Sequence, residues 1–123
     1  MTRQQKWAKE ALKRVQAYQG PDEKKYRTLC MRTPALIQQS GLVQALAFLR
    51  ARDGEEGKRF CSDWAAVYAP EQAAKGDPGE RLQTLAQSTD ALLAYMTLTR
   101  DLIDVAIWMR RFAQAELKSD ENE

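Results

Sequence analysis

The chain has 123 residues, 44% of them apolar and 29% charged, with a net charge of +2. That length fits one domain with a modest core, and no apolar run approaches the ~20 residues that span a bilayer. It has no histidine and two cysteines, so the commonest general base and the commonest zinc ligand are missing.

The first ten residues, MTRQQKWAKE, carry charge but no apolar core. They do not read as a secretory signal, and a cytoplasmic protein is expected. A first helix is predicted over Thr2 to Tyr18: Trp7, Ala8, Ala11, Leu12, Val15 and Tyr18 recur at steps of three and four. Gly20-Pro21 ends it. Pro21, Asp22 and Glu23 suit the first turn of a second helix through Tyr26, Leu29 and Cys30. Lys25 and Arg32 are seven apart and share a face of it.

Thr33 to Arg52 holds the densest apolar run of the first half. Pro34 is expected to break or kink the chain, with Thr33 as the N-cap of the piece that begins there. Gly41 can take the left-handed conformation that ends one helix, so the chain is expected to turn and restart at Leu42. Asp53-Gly54 signals a turn. A helix is then predicted from Glu55 to Tyr68, with Phe60, Trp64 and Val67 on its inner face. Pro70 to Gly79 reads as a mobile surface loop, and Glu80 to Gln87 as a short helix on Leu82 and Leu85. Ser88, Thr89 and Asp90 supply N-cap candidates for a long helix from Ala91 to about Leu117. Tyr95, Leu98, Leu102, Ala106, Met109, Ala113 and Leu117 form its apolar side, with Thr99 a candidate break. Thr97, Arg100, Asp101, Asp104, Arg111 and Lys118 form its polar side. The acidic end, residues 119–123, is expected to be disordered. No strand is predicted. The fold class is therefore all-α, a compact single-domain bundle of five to seven helices over residues 1–118.

Catalysis finds little support. There is no Gly-rich phosphate loop and no nucleophile motif. Asp101, Asp104 and Glu116 are the best carboxylate candidates, but Asp101 and Asp104 read as surface charges paired with Arg100 and Arg111. Cys30 and Cys61 read as reduced core thiols. Neither an enzyme nor a cofactor is expected.

Charge is the stronger lead. Residues 1–52 hold eleven lysines and arginines against three acids, a net of +8; residues 53–123 carry a net of −6. Lys6, Lys13 and Arg14 on the first helix, Lys24, Lys25, Arg27 and Arg32 on the second, and Arg50 and Arg52 beyond it would make a phosphate-tracking surface without base readout. Trp7 and Trp64 are expected in the core. Trp108, beside the polar stripe, is a candidate to stack on a base, cover a partner, or lie under a neighbouring helix.

Pro34 followed by LIQQSGLVQALAFL and a basic exit, the opening KWAKEALKRV, the pair Tyr26-Arg27 and the ending IDVAIWMRRFAQAEL together resemble the small helical subunit of the type III-B CRISPR effector, the Cmr complex. The resemblance covers most of residues 3 to 117. It implies an all-helical, non-catalytic subunit whose copies stack into a short filament beside the backbone subunit that carries the guide RNA. It implies as partners the other Cmr subunits, further copies of the chain, guide RNA and target RNA, with no membrane. On that reading Lys13, Arg14, Lys24, Lys25, Arg27, Arg32, Arg50, Arg52 and Arg111 are the candidates to face RNA, and Trp108 is the candidate interface residue. The competing reading is a helical protein-interaction adaptor with no nucleic-acid role.

Overall fold

A computed structural model describes residues 1–70 and 76–118. Among them are six helices and no strand: α1 (Arg3–Gln16), α2 (Glu23–Ser40), α3 (Leu42–Ala51), α4 (Gly54–Tyr68), α5 (Pro78–Ser88) and α6 (Leu92–Glu116). This is the expected all-α bundle. The acidic end and the centre of the predicted 70–79 loop lie outside the described residues.

α1 starts where Thr2 and Gln5 cap each other: the Gln5 amide donates to Thr2 Oγ1 at 3.1 Å, and the Thr2 amide to Gln5 Oε1 at 2.8 Å. It buries Trp7, Ala11 and Val15. α2 is capped by Asp22, whose carboxylate accepts the Lys25 amide at 3.0 Å.

α2 does not stop at Pro34. It runs on to Ser40, with Pro34 buried inside it. Thr33 is not an N-cap; its hydroxyl donates back to the Leu29 carbonyl at 2.7 Å within the same helix. The buried face of Tyr26, Leu29, Cys30, Thr33 and Ile37 crosses the proline without a change of register, and that packing outweighs the local cost of the missing amide. The break falls at Gly41, with φ 83° and ψ 162°, a backbone region that needs glycine.

α3 buries Leu42, Ala45, Leu46 and Leu49. α4 turns back against it at Gly57, where a Cβ would lie 2.0 Å from the Leu49 carbonyl oxygen. α5 begins two residues earlier than the sequence suggests. Pro78 takes the first helical position and Asp77 caps it, accepting the Glu80 amide at 3.2 Å. Ser88 and Thr89 do not cap α6; both hydroxyls bond back to the Leu85 carbonyl and close α5 instead. α6 passes Thr99 unbroken, and that hydroxyl likewise bonds back, to Tyr95, at 2.8 Å.

α1 and α6 run parallel. Gln4 meets Asp104 and Gln16 meets Glu116, the same hundred-residue offset at both ends. α2 lies along α6 in the opposite sense: the Lys118 amide reaches Glu23, and the Tyr95 hydroxyl accepts the Val43 amide just past the end of α2. α4 closes the centre. Its Trp64 is fully buried and donates its indole N–H to the Leu102 carbonyl at 3.0 Å. Phe60 stacks on Trp64 at 5.7 Å and meets Tyr26 edge-on at 6.1 Å. Trp7 is buried too, as expected. Cys30 and Cys61 are free, buried thiols. Burial pushes the Cys61 thiol up to about 12 and raises the Cys30 thiol as well.

Candidate nucleic-acid interface

The nine basic residues singled out from the sequence fall into groups. Lys13 near the end of α1 and Lys24 and Lys25 at the start of α2 are exposed, and no ion pair among the described residues engages them. Arg27, one turn along α2, is half-buried. Arg14, on the flank of α1 nearest α4, lies between Glu10 at 3.6 Å and Asp63 at 3.7 Å.

A second group lies further along the same edge of α2. Arg32 and Arg52 line a recess of about 330 Å³ with Leu36, Phe48 and Asp53. Arg32 is 3.9 Å from the Asp53 carboxylate, and the Arg52 guanidinium sits 5.4 Å from the Phe48 ring centre. The Lys25 ammonium comes close to Gly54, the neighbour of Asp53. Lys25, Arg32 and Arg52 thus share one edge, where the seven-residue spacing put the first two.

Arg50 is different. Its side chain is only 17% exposed and pairs with Asp77 at 3.5 Å. It packs so closely on Gly79 that a Cβ there would lie 3.1 Å from a guanidinium nitrogen. Burial alone would raise the Asp77 carboxyl, but the Glu80 amide and Arg50 outweigh it and hold the group below its usual range. Arg50 therefore fixes the start of α5.

Arg14, Arg32 and Arg50 all take carboxylates from residues 53–77. The contrast between +8 and −6 halves is therefore partly cancelled by folding. For Arg14 and Arg32 the separations are long and the side chains 32% and 55% exposed. Such pairs are worth about 0–1 kcal/mol, too little to keep either guanidinium from a phosphate.

Arg111 and Trp108 form a separate feature on α6. The Trp108 indole donates to Gln4 Oε1 at 2.8 Å, stacks on Phe112 at 5.9 Å, and carries the Arg111 guanidinium 5.0 Å from its centre. Trp108 is thus half-buried against α1.

Asp101 and Asp104 are not paired with Arg100 and Arg111. Asp101 is 6% exposed and takes the Arg3 guanidinium at 2.8 Å; Asp104 takes the Gln4 amide at 3.1 Å. Both partners come from α1, because the parallel packing sets its first turn against this part of α6. Arg3 also lies 4.6 Å over the Trp7 ring. With Lys6, Trp7, Tyr68 and Asp101 it borders a recess of about 330 Å³. The α1 periodicity shows which residues avoid the core, but not that Arg3 and Gln4 lock two helices together. Among the described residues no group of three or more Cys, Asp or Glu is placed to hold a metal ion, and no helix is long and apolar enough to cross a membrane.

Residues 3–116 match the family described as CRISPR-associated protein (Cas_Cmr5). The chain is 37% identical over 117 residues to the CRISPR system Cmr subunit Cmr5 of Thermus thermophilus, covering 93% of this chain and 95% of that one. The crystal structure of a CRISPR-associated Cmr5 family protein from the same organism superposes with a TM-score of 0.82 at 36% identity, over 96% of this chain and all of the other. The match spans all six helices, and on that ground the chain belongs to the Cas_Cmr5 family of CRISPR-associated proteins.

Proposed function

We propose that this chain is a non-catalytic small subunit of a cytoplasmic type III-B Cmr effector. Copies stack head to tail beside the guide-carrying backbone subunit and hold target RNA by its phosphates, whatever its sequence. Family membership supports the assembly role. The observation that carries the RNA role is the exposed edge of Lys24, Lys25, Arg32 and Arg52, with Lys13 near the α1–α2 turn. Side chains of this kind track a sugar-phosphate strand and carry no base code. The net charge of only +2 makes binding by the isolated chain weak, so RNA is held mainly within the assembly.

The test is a reconstituted effector with guide RNA, carrying Lys24→Glu, Lys25→Glu and Arg32→Glu together. Target RNA retention should fall at least tenfold, with a shallower dependence on salt, because fewer counterions are released. Unchanged retention in a fully assembled complex would reject the RNA role and favour the adaptor reading. One observation favours that alternative: Arg50 is already closed in against the Asp77 carboxylate inside the fold.

A further inference from the structure

α6 has two apolar faces. Leu98, Leu102, Val105, Ala106, Met109 and Ala113 face the core. On the other side Leu92, Met96, Ile103 and Ile107 follow at steps of four, seven and four, which keep them on one helical stripe. Leu92 is 71% exposed, its neighbour Leu93 78% and Met96 50%; Ile103 and Ile107 are half-buried. Beside the centre of this stripe is a groove of about 470 Å³, lined by Tyr95, Met96, Thr99, Arg100, Ile103 and Asp104 of α6 with Gln38 of α2.

The spacing reads the same from either end. An antiparallel second copy, with its two-fold axis between Thr99 and Arg100, sets Leu92 against Ile107 and Met96 against Ile103, each twice. The groove at the axis receives the apolar side chains of the other copy as a hole receives a knob. Charge agrees with this register. Arg110 falls opposite the start of the other α6, beside the exposed Asp90, and the pair repeats at the far end. Arg100 is the exception: it stands near the axis and faces its own counterpart, a like-charge contact that Asp104, one turn away and also bonded to Gln4, offsets in part.

We infer that the free chain pairs with itself through this stripe, as a two-fold antiparallel helix pair. Such a contact uses the same face on both copies and stops at two. It is therefore distinct from a head-to-tail stack and does not depend on RNA. The stripe is only about 22 Å long, from the ~1.5 Å rise per helical residue. That is small for a stable interface, so the pair is weak and depends on concentration.

Sedimentation velocity on the intact chain, from low to high micromolar, tests this. The wild type should shift from monomer to dimer. Met96→Glu should stay monomeric throughout, with an unchanged circular dichroism spectrum. Cys30 and Cys61 are buried, so an introduced thiol reports alone: mild oxidation should link Arg100→Cys to its own copy and leave Gln114→Cys unlinked. A wild type that stays monomeric, a dimer indifferent to Met96→Glu, or a link through Gln114→Cys in place of Arg100→Cys overturns the inference.

Discussion

Asp63 joins three helices. It accepts the Tyr26 hydroxyl in a short 2.5 Å bond and faces Arg14 at 3.7 Å. Burial raises its carboxyl above the usual range, although Tyr26 and Arg14 pull the other way. Asp77 is held low. The two therefore act oppositely on stability. A raised folded value means that stability is lost as pH climbs through it, and a lowered one that stability is lost as pH falls through it. Asp63→Asn keeps an acceptor for Tyr26 and should stabilise the protein by between zero and about 1 kcal/mol at pH 7. That gain should shrink as pH falls below the folded value of Asp63 and vanish only below the ordinary carboxylate range, where the unfolded chain is protonated too. Asp77→Asn still caps α5 but loses the charge facing Arg50. It should lower Tm at neutral pH, and the deficit should fade in acid, as the wild-type carboxyl takes up its proton. Thermal melts of both variants from pH 3 to 7 would give differences from wild type that grow with opposite signs as pH rises. Neither effect is legible in sequence, where Asp63 and Asp77 are two acids among many.

For the helices, legibility follows the strength of the apolar rhythm. α1, α4 and α6 repeat at three and four residues over three or more turns, and each stands within two residues of its expected bounds. The expectation fails where a local signal opposes a tertiary one. Pro34 marks a break by its own chemistry, yet it lies in α2 because the residues on both sides bury the same face. Pro78 and Gly79 look like loop, yet Asp77 and the packing of Gly79 on Arg50 and Cys61 start α5 there. The anchor between α4 and α6 is Trp64, whose burial is foreseeable but whose bond to the Leu102 carbonyl is not. Trp64→Phe should cost about 2 kcal/mol, from lost volume and a carbonyl stripped of one donor. Urea unfolding should show a lower midpoint and an unchanged slope.

At the scale of the molecule, summed charge says which half is basic but not which charges folding pairs together. Arg50 and Lys24 have equal weight in such a sum. In the fold Arg50 is closed in by Asp77 and Gly79, while Lys24 stands out in solvent. The two should separate cleanly. Lys24→Gln should leave Tm within a degree or so and reduce the salt slope of RNA retention by the assembled complex by ~1. Arg50→Gln should lower Tm by several degrees and leave that slope alone. Of the candidate site, the exposed edge at Lys25 and Arg32 is readable from helical spacing. Arg52 joins them only because α3 folds back on α2. The hold of Arg3 and Gln4 on α6 needs the knowledge that the first and last helices are neighbours.

Because α1 and α6 point the same way and match in register from Gln4 to Gln16, the beginning of the first helix and the end of the last lie at opposite poles. They are roughly 20 Å or more apart at the helical rise per residue. A circular permutant joining them therefore needs at least six extended residues of bridge at ~3.3–3.6 Å each. A tighter splice would tear one helix from its groove.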